Sequence, residues 1–268
     1  MRTIRSWLNE DSDEVELVSF CGGESAGFSH SCLSTEKPNE DAAGLFELAD
    51  DHGILAVADG IGGANCGDRA SRCVIEELEK RLVDADKSNS RSCILDAIES
   101  ANRQILEWGV GAGAALVVAE YYSGTVRTFH VGDATVLLCS NRGRTKFTTV
   151  AHAPVAMAVE IGILDELEGM VHEDRNIITN CVGSSEMRIE IGPEISMTSR
   201  DTLVLGSDGL FDNLMTDEVA ELVCKGDFLA QAGLLVSDTW ARMGIQSEGQ
   251  PGKPDDLTLL CFRQSVTA

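Results

Sequence analysis

The sequence predicts an α+β protein with a sheet-on-sheet core and helices outside it. Three observations carry this expectation. Residues 114–149 read as a β-meander with turns so tight that only antiparallel pairing fits. Two amphipathic helical stretches precede the meander and two follow it. Several apolar runs end abruptly in an acid, most plainly Gly53-Ile54-Leu55-Ala56-Val57-Ala58-Asp59-Gly60-Ile61-Gly62-Gly63. A doubly wound parallel fold is disfavoured, because its strands need long crossover connections.

In chain order, residues 1–20 read as an N-terminal tail or an edge strand, and 21–268 as a single domain. Ala42 to Leu48 is a strand candidate, and Ile54 to Ala58 reads as a buried strand. Gly67 to Val83 reads as a helix, with Ala70, Val74, Leu78 and Leu82 recurring on one face. Ser90 to Trp108 is a second, carrying Ile94, Leu95, Ile98, Ile105 and Leu106. The meander then runs through Ala114–Tyr122, Val126–Val131, Thr135–Cys139 and Lys146–Thr149. Ser123-Gly124 and Asn141-Arg142-Gly143 serve as its turns. Residues 150–190 read as short helices and loops. Thr202 to Ser207 is a strand. Thr216 to Cys224 is a helix with Asp217 and Glu218 in its first turn, favourable at the positive end of the dipole. Phe228 to Met243 is another helix. The loop Ser247 to Pro254 leads into a last strand, Leu257 to Phe262.

A length of 268 residues, 43% of them hydrophobic, suits one sizeable core. Lys plus Arg is 21 and Asp plus Glu is 44, a net charge of −23, which argues against nucleic acid or an anionic membrane as the main partner. It leaves a phosphorylated partner open, because divalent ions reverse the local sign. Most of these acids, such as the Glu10–Glu16 run, suit a solvated surface. The nine cysteines are odd in number and include no C-x-x-C, so they read as reduced thiols in a cytoplasmic protein. The five histidines show no metal-ligand spacing. No segment looks like a signal peptide or a membrane span.

Four acidic sites stand out: Asn39-Glu40-Asp41, Asp59-Gly60, Asp208-Gly209 and Asp255-Asp256. Desolvating a carboxylate beside a buried strand costs several kcal/mol unless a cation or strong donors meet it. Glycine lets backbone carbonyls approach the same spot. If the strands share one sheet edge, the carboxylates, a carbonyl and waters form an oxygen cage suited to Mg²⁺ or Mn²⁺. Two such ions sharing a water generate a nucleophile at neutral pH for in-line attack on a phosphate ester. Taken singly, each Asp-Gly equally suits an ordinary turn. The EF-hand calcium loop is absent. The aspartyl-phosphate type of phosphatase usually needs a second Asp two residues after a strand-end Asp, where this chain has Ile61.

Six segments together resemble the metal-dependent Ser/Thr protein phosphatases of type 2C, in their bacterial form. They are Asn39-Glu40-Asp41, Val57 to Gly63, Val131-Gly132-Asp133-Ala134, His172 to Thr179, Gly206 to Asp212 and Asp255-Asp256-Leu257-Thr258, in the family's order and spacing over roughly residues 25–263. The resemblance implies a central antiparallel β-sandwich flanked by α-helices on both faces, a four-layer α/β/β/α fold with two Mg²⁺ or Mn²⁺ ions at one end. It implies that Asp59 bridges both ions, that Asp208 and Asp255 complete one site, and that Glu40 and the Gly60 carbonyl serve the other. Asp41 would orient ligands or metal-bound water. Asp133 matches a turn for which hairpin geometry is the simpler account.

The chain also departs from the family pattern. The Arg that grips the substrate phosphate in many members falls at Glu36, beside Lys37. Lys37 is the substitute candidate for catalysis with Asp59 and Asp208, though it lacks the bidentate fork of Arg and equally reads as a solvated loop lysine. A His of many eukaryotic members is Ile61 here. The family's Gly-Thr-Thr is Gly113-Ala114-Ala115, one third-metal acid falls at Val110 while Asp212 matches the other, and Asp-Asn becomes Asp255-Asp256. An extra charge at Asp256 would tighten metal binding or repel substrate. Two functions remain in view. One is a metal-dependent phosphatase acting on phosphoserine and phosphothreonine of proteins, a cognate Ser/Thr kinase among its partners. The other is a weakly active or inactive module that binds a phosphoprotein or kinase. Residues 155–190 would form a flap beside the site where substrate is chosen.

Overall fold

The computed structural model describes residues 1–61, 66–245 and 251–265. Gly62 and Gly63 of the glycine run, and residues 247–250 of the loop before the last strand, lie outside the described residues. The N-terminal half comprises β1 (Arg2–Leu8), β2 (Glu16–Phe20), β3 (Gly23–His30), β4 (Ala42–Ala49), β5 (His52–Ile61), α1 (Gly67–Leu82) and α2 (Ser90–Glu107). The meander follows as β6 (Gly113–Tyr122), β7 (Thr125–Val131), β8 (Thr135–Cys139) and β9 (Thr145–Thr148). Then come α3 (Pro154–Glu160), α4 (Glu166–Met170), β10 (Glu190–Ile191), β11 (Ile195–Ser196), β12 (Thr202–Gly206), α5 (Asp208–Phe211), α6 (Thr216–Val223), α7 (Phe228–Met243) and β13 (Leu257–Gln264).

The strands form two antiparallel sheets. One runs β1-β4-β5-β6-β7-β10 with β11 also on β7, and the other runs β2-β3-β13-β12-β8-β9. The period-2 alternation of strands sorts their side chains into three cores. On β5, Ile54, Ala56 and Ala58 pack with Val74 and Leu78 of α1 and Ile94 and Ile98 of α2. Leu55 and Val57 face the second sheet, where Leu203, Leu205, Leu260 and Phe262 meet them. The outer side of that sheet, with Val204 and Leu259, packs on Val219, Leu235 and Val236 of α6 and α7. The layers are therefore α/β/β/α. Strands covered on both faces carry near-continuous apolar runs, which is why β5 and β6 show so little polar alternation. Fully burying each Leu or Ile stabilises the fold by about 1.5–3 kcal/mol.

One expectation needs revision, and one resolves between its two alternatives. Asp59 does not close its strand. β5 continues to Ile61 and pairs Asp59 with Ala115 of β6. The N-terminal residues supply β1, on the edge of the first sheet, and β2, on the edge of the second.

Candidate metal centre

Strand register brings the acids together. β4 and β5 pair Ala42 with Ala58. One step further along the same ladder sets Asp41 opposite Asp59, and one more sets Glu40 opposite Gly60, whose N–H donates to the Glu40 carbonyl at 3.1 Å. Residues 41 and 59 share the parity of Ala43, Leu45, Leu55 and Val57, so both belong to the face turned toward the second sheet. From that sheet, the Asp208 N–H at the start of α5 donates to Asp59 Oδ2 at 3.4 Å. The Ser207 N–H donates to the Thr258 carbonyl at 3.0 Å, holding the start of α5 against the strand that follows Asp255. Close glycine contacts make this convergence possible. A Cβ on Gly60 would lie 2.4 Å from the Gly67 carbonyl, and one on Gly67 would lie 2.5 Å from Glu40 Oε1.

The charge balance is extreme. Burial, then the charges of Asp208 and Asp41, push the Asp59 carboxyl well above its ordinary range. Burial and Asp256 do the same to Asp41. Burial with Asp208 pushes Asp133 up to about 7, and Asp212 and Asp255 to about 6. Burial and Asp256 also raise Glu40. Asp41 Oδ2 is buried with no hydrogen-bond partner among the described residues. Carboxylates this close hold protons or require cations. An all-oxygen donor set with a backbone carbonyl in reach and an orphaned buried carboxylate oxygen fits hard divalent ions.

Asp256 has a structural part beside its charge. Its two oxygens accept the N–H groups of Cys32, at 2.7 Å, and Glu40, at 2.6 Å. It clamps the segment carrying Glu40, and its charge is felt there, raising both Glu40 and Asp41. Glu36 and Lys37 are exposed, and Lys37 touches the centre only through its charge, which partly counters the upward shift of Glu40. Val110 is also exposed. Two groups to which the sequence assigns no role join the site. Lys253 places its ammonium among Asp208, Asp212 and Asp255. Arg175, inside the segment expected to form a flap, lines a cleft of about 300 Å³ with Asp133, Asp208 and Asp212. Its Nε is buried without a hydrogen-bond partner among the described residues. Arg175 lies within the family-like segment His172 to Thr179, for which no residue's role is read, and no spacing rule flags Lys253.

Histidines also meet, contrary to the reading of their spacing. His130, His152 and Glu190 lie close enough to share an ion. Their hydrogen bonds assign them another role. His152 Nδ1 accepts the Gly132 N–H at 2.9 Å, so its proton is on Nε2, 3.2 Å from Glu190 Oε2. His130 Nε2 lies 3.1 Å from the Val150 carbonyl, to which it can only donate. With both Nε2 atoms protonated, the cluster braces the turn that carries Asp133.

The family model described as "Protein phosphatase 2C" matches residues 29–233. The chain belongs to that family. It is 27% identical over 244 residues to the "Serine/threonine phosphatase stp" of Listeria monocytogenes, covering 85% of this chain and 91% of that protein. The protein of the same name in Listeria welshimeri is 29% identical over 243 residues, with the same coverage. Among solved structures, serine/threonine phosphatase Stp1 of Staphylococcus aureus superposes with a TM-score of 0.77 at 23% identity, covering 97% of this chain and 100% of that one. The catalytic domain of the serine/threonine protein phosphatase PstP, solved in complex with 2 manganese ions, gives 0.70 at 20% identity, covering 90% and 98%. These structures carry the same four-layer fold.

Proposed function

We propose that this protein is a metal-dependent phosphatase that removes phosphate from phosphoserine and phosphothreonine of proteins, using two Mg²⁺ or Mn²⁺ ions. The observation that carries this reading is the convergence of Glu40, Asp41, Asp59, Asp208 and Asp255 at one end of the sandwich, with Asp41 Oδ2 unpartnered among the described residues. Family membership and the names of the Listeria relatives support it. Glu40 and the Gly60 carbonyl would hold one ion, Asp208 and Asp255 the other, and Asp59 both; the PstP catalytic domain, which shares the fold, was solved in complex with 2 manganese ions. Divalent ions there supply an activated water at neutral pH and positive charge that offsets the charge on the transferring phosphoryl group.

The remaining work falls to the chain. Asp41 orients its neighbours from its buried position opposite Asp59. The cleft beside Asp208 admits a phosphorylated side chain, and α3 and α4 form its far wall through Val155, Val159 and Met170. Arg175 is placed to grip the phosphate, with the bidentate fork that Glu36 and the exposed Lys37 do not provide. Arg175 answers one of the two motives for an inactive binding module, the missing Arg; the other is the altered third-metal site, where Val110 stands. Substrate choice falls to the flap, whose Met157, Ile161 and Ile163 are exposed. A cognate Ser/Thr kinase is included among the proposed substrates. The cytoplasm is the proposed compartment, supported by nine free cysteines. Among the described residues no helix is long and apolar enough to cross a membrane.

The test is release of phosphate from a phosphothreonine peptide with Mn²⁺, with Mg²⁺ and with EDTA. Turnover that requires the divalent ion supports the proposal, and turnover undiminished by EDTA refutes it.

A further inference from the structure

Lys253 is the one cation bonded into the acid cluster among the described residues. Its side chain is 14% exposed, and its Nζ lies 3.0 Å from Asp212 Oδ2 and 3.0 Å from Asp255 Oδ2 while also bonding Asp208 Oδ2. An ammonium has three donors, and three carboxylates take them. The arrangement is anchored from behind. Asn213, fully buried, donates to the Lys253 carbonyl and accepts its N–H, each at 2.9 Å, and also donates to the Gly209 carbonyl at 2.9 Å. The same amide thus fixes the backbone of Lys253 and the turn that carries Asp208. Burial works against the charge of Lys253, but Asp208, Asp212 and Asp255 outweigh it and hold its pKa above the ordinary value.

Two of these carboxylates, Asp208 and Asp255, are those proposed above for the second ion. Their oxygens cannot serve an ammonium and a divalent ion at the same point, because the two cations repel and compete for the same lone pairs. Among the described residues, no cation is bonded to Glu40 or the Gly60 carbonyl at the first position. Lys37 acts on Glu40 only through space. The four-carbon stem of a lysine gives the ammonium room to leave without moving the backbone that Asn213 holds.

We infer that Lys253 is a tethered cation that competes with the second divalent ion, so that the two ion positions fill at different metal concentrations. At low metal the ammonium neutralises the Asp208–Asp212–Asp255 half of the centre and keeps it folded. At high metal the ion displaces it. This inference rests on the two-ion reading above and deepens it.

The experiment is a Mn²⁺ titration, by calorimetry and native mass spectrometry, of wild type, Lys253→Met and Lys253→Arg. Wild type is expected to bind one ion tightly and a second at least tenfold more weakly. Lys253→Met should tighten the second step by tenfold or more. Lys253→Arg, which keeps a charge, should leave it weak. Without metal, Lys253→Met should also melt below wild type and recover with Mn²⁺. If Lys253→Met does not fold, Lys253→Gln removes the charge at nearly the same length and is expected to give the same result. A second step unchanged or weakened by loss of the lysine overturns the inference and leaves the two-ion centre standing. Binding of no ion by any of the proteins overturns both.

Discussion

Replacing Gly209 with Ala tests the geometry that places Asp208. Gly209 is the second residue of α5, and a Cβ built on it would lie 1.9 Å from the Asp256 carbonyl oxygen and 3.0 Å from its carbon. In a free helix the same substitution would favour folding by about 1 kcal/mol. Here the contact is roughly an ångström closer than side chains tolerate. The obstacle is backbone and cannot rotate away, so α5 must shift from the segment before β13. Overpacking of this kind costs about 1–3 kcal/mol, with this site at the upper end, so the clash outweighs the helix gain. A chain of this length unfolds with an entropy of about 0.6 kcal/mol/K, so a net loss of about 2 kcal/mol lowers Tm by roughly 3–4 °C. Because the shift separates Asp208 from Asp255, Mn²⁺ affinity should fall as well. Differential scanning fluorimetry with and without Mn²⁺, together with calorimetric titration, reads both effects. Wild-type Tm and wild-type Mn²⁺ affinity in Gly209→Ala would show that this close approach does not shape the centre.

Two other perturbations probe separate parts of the account. Arg175→Ala should raise KM for a phosphothreonine peptide by about tenfold, the loss of one charge-assisted contact. Lys should rescue it only in part, while Lys37→Ala leaves KM near wild type; steady-state kinetics on the three variants decide this. Glu77 on α1 is buried and bonded to Lys80 at 2.9 Å. Burial pushes its carboxyl up, but bonds from Lys80, Ser100 and Gln104 prevail and bring it down to about 2. A depressed carboxylate stabilises the fold above its unfolded pKa of about 4.3, and that stability is lost as pH falls toward 2. Glu77→Gln should therefore cost up to about 3 kcal/mol at pH 7, and the gap to wild type should narrow at pH 3.5, as measured by urea denaturation.

The parts of the fold legible in sequence were those with strong periodicity. α1, α2, α7 and the β6–β9 meander lie within a residue or so of their expected bounds, because each carries a repeating apolar face or a tight turn. β3 was illegible for a physical reason. Its Gly-Glu-Ser-Ala-Gly-Phe-Ser-His sequence has little strand character, yet its small residues make room for Trp7, whose ring would lie 2.4 Å from a Cβ on Gly27. Tertiary packing overrides propensity there. In the site, Asp59, Asp208 and Glu40 stood out because each adjoins a strand or its candidate. Lys253 and Arg175 sit in loops without any period. What places Lys253 is the amide of Asn213, 40 residues away in sequence, and no local pattern encodes that contact. The clamp formed by Asp256 was hidden for the same reason, since its partners Cys32 and Glu40 are distant backbone groups.

The central claim is that Asp59, set between Asp41 and Asp208, is the carboxylate both ions share. The most direct measurement is the turnover of a phosphothreonine peptide by Asp59→Asn in saturating Mn²⁺, with bound manganese counted on the same sample. The account predicts at least a hundredfold loss of turnover and loss of bound ion, in a protein that keeps its circular dichroism spectrum. Turnover and manganese content equal to wild type would contradict it.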